Sequence, residues 1–316
     1  MPNWCSRMSS GPISRRSISP PRWRSSPGGS DGSGLVLAEA ASRWSDLSRR
    51  VLSAIVVLPV ALGCIWAGGY PFLALIAAGC VICTGEWVTM CGYAPRDPPM
   101  LWMSIILVAA ALCGGMGAAQ AGLLLLLGGT MAAVIWRGSF STAAQTSSAR
   151  LDLAFGVPYL GLTAVVLPWL RADPLVGWPN TLFMLAIVWA SDIGAYAVGR
   201  LLGGPKLAPS ISPGKTWSGS LGGLVSAALA GIAVAACFSS GFSPSHVVEL
   251  AIGIGIVSQA GDLLESVLKR RFGVKDSGSI LPGHGGLLDR LDALLAVAPT
   301  VALLAFFVGR GVVLWR

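Results

Sequence analysis

Residues 258–292, SQAGDLLESVLKRRFGVKDSGSILPGHGGLLDRLD, hold a dense run of acids and bases between two strongly apolar stretches. If a helix continues through Lys269, then Asp262, Glu265, Ser266 and Lys269 recur at spacings of three and four and share one face. Arg270, Arg271, Lys275 and Asp276 follow, and then LPGHGG supplies a turn whose glycines let backbone approach a ligand closely. Beyond His284, Asp289, Arg290 and Asp292 return carboxylates to the start of the next helix, where acids suit the helix dipole. Carboxylates able to share a divalent cation, beside cations suited to phosphate oxygens, point to metal-assisted phosphoryl or nucleotidyl transfer. The plainer reading, a solvated basic loop, fits any one of these charges. It fits the set poorly, because ionisable groups at membrane depth are costly and usually functional.

The elements that position these groups are membrane helices. With 54% hydrophobic and only 11% charged residues, the chain departs from the soluble balance, in which about a quarter are charged. The 41 glycines fit close helix packing in lipid. A net charge of +8 would suit nucleic acid, but the cations sit where cytoplasmic loops meet an anionic surface, so no nucleic-acid partner is expected. Most of the seven cysteines fall inside apolar runs and read as small core residues. Residues 1–45, rich in Ser, Pro, Gly and Arg, read as a disordered basic cytoplasmic tail.

About nine apolar segments follow, near 51–67, 71–88, 100–116, 121–136, 153–170, 181–198, 221–238, 247–268 and 293–308. The expected fold is an all-α polytopic membrane protein, with N-terminal helices over 46–175 and a catalytic region over 176–316. If each segment crosses and the N-terminus lies inside, only Arg171, Arg310 and Arg316 of the 22 lysines and arginines fall outside. That pattern places the charged cluster on the cytoplasmic face, and a bacterial inner membrane is the expected location.

The same face receives WASDIGAYAVGRLLGGPKLAPSISPGKTWSG, with Asp192, Tyr196, Arg200, Lys206 and Lys215. Its SPGKT piece is not a phosphate loop, since Pro209 stands where that pattern needs glycine. Two clusters on one face favour a composite site. Glu86, inside the second apolar run, reads either as a pathway residue or, more commonly, as a carboxyl bonded to a neighbouring helix. Tryptophans near segment ends, Trp315 among them, read as interface anchors.

The run from Ser266 to Asp292 resembles the signature of phosphatidate cytidylyltransferases (CDP-diacylglycerol synthases), with Ser266, Lys269, Arg270, Lys275, Asp276, Pro282, His284, Gly285, Gly286, Asp289, Arg290 and Asp292 matching in order and spacing. SDIGAYAVGR and KLAPSISPGKTW are similar to that family too. Two positions depart from it: Ser218 where an acid is usual, and Ala293 where serine is common. The resemblance implies transfer of a cytidylyl group from CTP to phosphatidic acid in the lipid bilayer with Mg²⁺, alone or with a second cation, by a homodimer. It gives Asp262 and Asp289 the metal, supported by Asp292 and Asp192. Lys215, Lys269, Arg270, Lys275, Asp276 and Arg290 would serve substrate binding, Ser266 would coordinate or donate a hydrogen bond, and His284 would contact phosphate or hold the turn. Against this stand a CTP-dependent polyprenol kinase, which would release CDP, and a secondary transporter, which would show repeated halves that this chain lacks.

Overall fold

In lipid every backbone N–H and C=O must find a partner within the protein, so long apolar runs become helices. The computed structural model describes residues 59–94, 96–135, 147–278, 280, 285–309 and 311–316. The tail over 1–45, together with Pro282 and His284, lies outside the described residues.

A helical segment at 59–67 leads into α1 (Gly69–Met90), α2 (Pro98–Gly115), α3 (Ala119–Ile135), α4 (Ser147–Arg171) and α5 (Gly177–Leu202). A hairpin of β1 (Lys206–Ala208) and β2 (Ser212–Thr216) follows, and then α6 (Trp217–Phe238), α7 (Pro244–Arg271) and α8 (Leu288–Val308). Among the described residues seven helices, all but the 17-residue α3, are long and apolar enough to cross a membrane. With α3 and the 59–67 segment they answer to the nine runs expected. The hairpin is the departure from an all-helical chain, with Lys206 opposite Thr216 and Ala208 opposite Ser212.

Two apolar cores hold the helices together. One joins Phe72 of α1, Leu167 of α4, Phe183 of α5, Ile254 of α7 and Val297 of α8. The other joins Trp87 of α1, Met103 of α2, Leu126 of α3, Leu153 of α4 and Leu295 of α8. Both draw on residues before and after 175, so the two expected halves share their interior. Between α5 and α6 the backbones nearly touch: a Cβ placed on Gly199 would stand 3.3 Å from the Cα of Gly219. Trp315 is not an interface anchor. It is fully buried, packs on Phe183 at a ring separation of 4.7 Å and donates to the Ser239 hydroxyl.

Successive helices run up and down. The end of α1 meets the start of α8, Arg271 at the end of α7 pairs with Asp152 near the start of α4, and the hairpin after α5 reaches α7. At the other end Gly115, Arg171, Asp173, Gly309 and Val312 line neighbouring cavities.

Candidate active site

α7 stays helical to Arg271 although its last two turns are charged, because its carboxylates find cations and its basic residues lie at a helix C-terminus. The stripe expected from the sequence therefore forms. α8 runs back beside it, and Gly261 allows the close crossing: a Cβ there would lie 3.0 Å from the carbonyl oxygen of Asp292. This register sorts the acids into two layers.

The first layer contains Asp262, Asp292, Asp192 and Lys215. Lys215, presented by β2, sets its ammonium 2.5 Å from an Asp262 oxygen. Asp192 of α5 lies within electrostatic reach of Asp262, Asp292 and Lys215, and Asp292 accepts the Ala293 N–H at 2.7 Å. A cavity of about 510 Å³ opens here, lined by Asp192, Tyr196, Arg200, Lys215, Gln259 and Asp262 among others. Gln259 is fixed by Ser220, whose hydroxyl donates to Oε1 at 2.5 Å and whose carbonyl accepts from Nε2 at 3.0 Å.

One turn further along α7 lies the second layer. Lys269 pairs at 3.0 Å with both Glu265 and Asp289. Asp289 also accepts the Ser277 N–H at 3.1 Å and the Gly286 N–H at 2.9 Å. Its two oxygens are thus engaged by donors of the protein, and a cation there would compete with Lys269. Glu265, only 2% exposed, is a site residue for which the helical stripe was the available signal. Glu86, on α1, lies outside that stripe: its carboxylate accepts the N–H groups of Leu287 and Leu288, both at 2.8 Å, and the Ser277 hydroxyl at 3.1 Å. It is therefore a carboxylate bonded across helices.

Ser266 is half-buried, and its hydroxyl makes no hydrogen bond among the described residues. Arg270, Lys275, Asp276 and Arg290 are exposed. Of the two departures from the resemblance, Ser218 bonds the Gly203 carbonyl and the Thr216 hydroxyl, tying the hairpin to the end of α5. Ala293 is buried at the α7–α8 crossing.

The donors are hard oxygens, the chemistry Mg²⁺ selects. Among the described residues no three acidic, histidine or cysteine side chains converge as a metal-binding set. The first layer suits a cation held by one or two carboxylates and completed by substrate oxygens and water, as Mg²⁺ commonly is.

Fold and site together define a polytopic membrane protein with a centre of paired carboxylates and lysines at one end of its helices. The chain belongs to the cytidylyltransferase family, which it matches over residues 48–308. It is 40% identical over 258 residues to the phosphatidate cytidylyltransferase of Brucella suis biovar 1 (strain 1330), covering 80% of this chain and 91% of that protein. The corresponding protein of Pseudomonas aeruginosa is 36% identical, covering 84% and 99%, and that of Haemophilus influenzae 33%, covering 83% and 99%.

Proposed function

We propose that this protein is a phosphatidate cytidylyltransferase, joining CTP and phosphatidic acid into CDP-diacylglycerol and releasing pyrophosphate. The observation that carries this reading is the first layer, in which Lys215 pairs with Asp262 beside a cavity of about 510 Å³ that Asp192 also lines, with Asp292 within electrostatic reach. A phosphate oxygen of phosphatidic acid attacks the α-phosphorus of CTP. The bond from that phosphorus to the β-phosphate oxygen breaks, and its electron pair leaves on pyrophosphate. The nucleophile is already ionised near neutral pH, so no general base is required.

The difficulty is electrostatic, since two polyanions must approach. Lys215 and the exposed cations Arg270 and Lys275 meet that need as positive charge, which stabilises developing negative charge. Asp262 and Asp292, with Asp192 in support, would hold Mg²⁺, which would supply a Lewis acid for the phosphate oxygens. Asp289 supports the centre by fixing Lys269 and the turn before α8. The site opens on the cytoplasmic side of a bacterial inner membrane, where CTP is available.

Purified protein incubated with labelled CTP, Mg²⁺ and phosphatidic acid in mixed micelles tests this reading. CDP-diacylglycerol and pyrophosphate are the expected products, and EDTA abolishes their formation. Release of CDP with a phosphorylated lipid would replace the reading with a CTP-dependent kinase.

A further inference from the structure

Glu86 lies about two hundred residues before the turn it serves, and no expected role in the reaction reaches it. It is 3% exposed, and among the described residues all its hydrogen-bond partners are neutral donors. What balances the charge is the start of α8, where N–H groups point at the carboxylate and the helix dipole favours an anion.

We propose that Glu86 is a positioning residue for cytidylyl transfer, holding both ends of the loop between α7 and α8 so that Asp289 and Lys269 are fixed. The proposal rests on the assignment of the protein as a phosphatidate cytidylyltransferase. Ser277 follows the end of α7 at Arg271, and Gly286 precedes the start of α8 at Leu288. Ser277 gives its hydroxyl to Glu86 and its N–H to Asp289. At the other end Gly286 gives its N–H to Asp289, while the next two N–H groups go to Glu86. The two carboxylates therefore share the donors of one turn, and a shift of one moves the frame of the other. Asp289 in turn holds Lys269 at 3.0 Å.

The glycines of the turn are accounted for in the same way. A Cβ on Gly278 would stand 2.7 Å from Glu86 Oε1, and one on Gly286 would stand 2.8 Å from it. The carboxylate, together with the Ser277 hydroxyl beside the Gly286 position, occupies the space that a side chain would need. The N–H groups of Gly286, Leu287 and Leu288 are thus committed to protein carboxylates. Binding of substrate phosphate falls to side-chain cations, of which Lys269 is held by Asp289 and so by the clamp.

The test uses the full chain in lipid nanodiscs. Glu86→Gln keeps the size of the side chain but turns an NH₂ toward one of three donors. The expected result is a fall in kcat of about ten- to a hundredfold, the range for loss of hydrogen bonds to a charged group. KM for CTP and for phosphatidic acid should stay within about threefold, as when an interaction matters in the transition state. Hydrogen exchange should accelerate across 277–290 and stay unchanged in α5 and α6. Gly278→Ala, which presses a methyl group on the carboxylate from the loop side, should reproduce both effects, and it carries the test if Glu86→Gln does not fold.

Wild-type kcat in these variants, a rise in KM alone, or faster exchange spread over all helices would overturn the proposal. Wild-type protein that makes no CDP-diacylglycerol would instead sink the functional reading, while the exchange measurement still reports on the clamp.

Discussion

Lys215 and Lys269 each face carboxylates across a gap between elements, yet their surroundings give them different work. The Lys215–Asp262 pair is open to solvent mainly through Asp262, with side-chain exposures of 24% and 35% and the Lys215 ammonium nitrogen itself covered. Such a pair contributes about 0–1 kcal/mol to stability. Lys269 stands between Glu265 and Asp289, whose side chains are 2% and 10% exposed. Removing one partner of a buried ion group costs about 3–5 kcal/mol, because the remaining charges lose their compensation. Lys215→Ala is therefore expected to leave thermal unfolding in detergent nearly unchanged while lowering kcat/KM about a hundredfold, the size of a lost transition-state donor. Lys269→Met is expected to lower both the unfolding temperature and the activity. Equal destabilisation by the two substitutions, or an active Lys215→Ala, would contradict this division. The residue types of both layers were legible in the sequence. Their sorting was not, because spacing along α7 says nothing of the register against α8, which Gly261 and Ala293 set by their close contact.

Among the elements, the helices were legible and their ends less so. Apolar runs predicted spans at 153–170, 181–198 and 247–268, whereas α4, α5 and α7 extend to Ser147–Arg171, Gly177–Leu202 and Pro244–Arg271. The added turns are polar, and protein partners rather than lipid keep them helical: Asp152 with Arg271 is one such pair. The β1–β2 hairpin carried no readable period, since strands of three and five residues are too short for one. It is anchored to the start of α6, which Thr216 caps by accepting the Gly219 N–H at 3.1 Å. Close approach of α5, α6 and α7 then fixes the cavity wall. A Cβ on Gly223 would meet the Ser191 carbonyl oxygen at 2.8 Å and Gln259 Nε2 at 3.0 Å. Gly223→Val is expected to force these helices apart, costing about 1–3 kcal/mol and raising KM for CTP as Gln259 and Asp192 move. Gly253→Ala is the control: nothing lies within 4 Å of its added methyl group, and the gain in helix propensity, about 0.5–1 kcal/mol, should leave activity intact. Thermal unfolding and steady-state kinetics of the two variants check the contrast.

For the molecule as a whole, the charge asymmetry read from the sequence has a structural counterpart. The ends of α1, α5 and α7 and the starts of α4, α6 and α8 gather at the site, and Lys206, Lys215, Lys269, Arg270, Arg271 and Lys275 lie on or beside them. Arg171, at the far end, has a structural task. Its Nε donates to the Ile65 carbonyl at 2.8 Å and its Nη2 to the Trp66 carbonyl at 2.7 Å, closing the helical segment before α1. The proposed reaction needs the site face in the cytoplasm, the orientation that the positive-inside rule predicts from the sequence. In a variant freed of its native cysteines, Ser210→Cys tests the exposed hairpin turn, and Ser240→Cys tests the exposed α6–α7 connection. A membrane-impermeant maleimide applied to intact spheroplasts should label position 240, and should label position 210 only after permeabilisation. The opposite pattern would turn the site outward, away from CTP, and the proposed reaction would fall with the orientation.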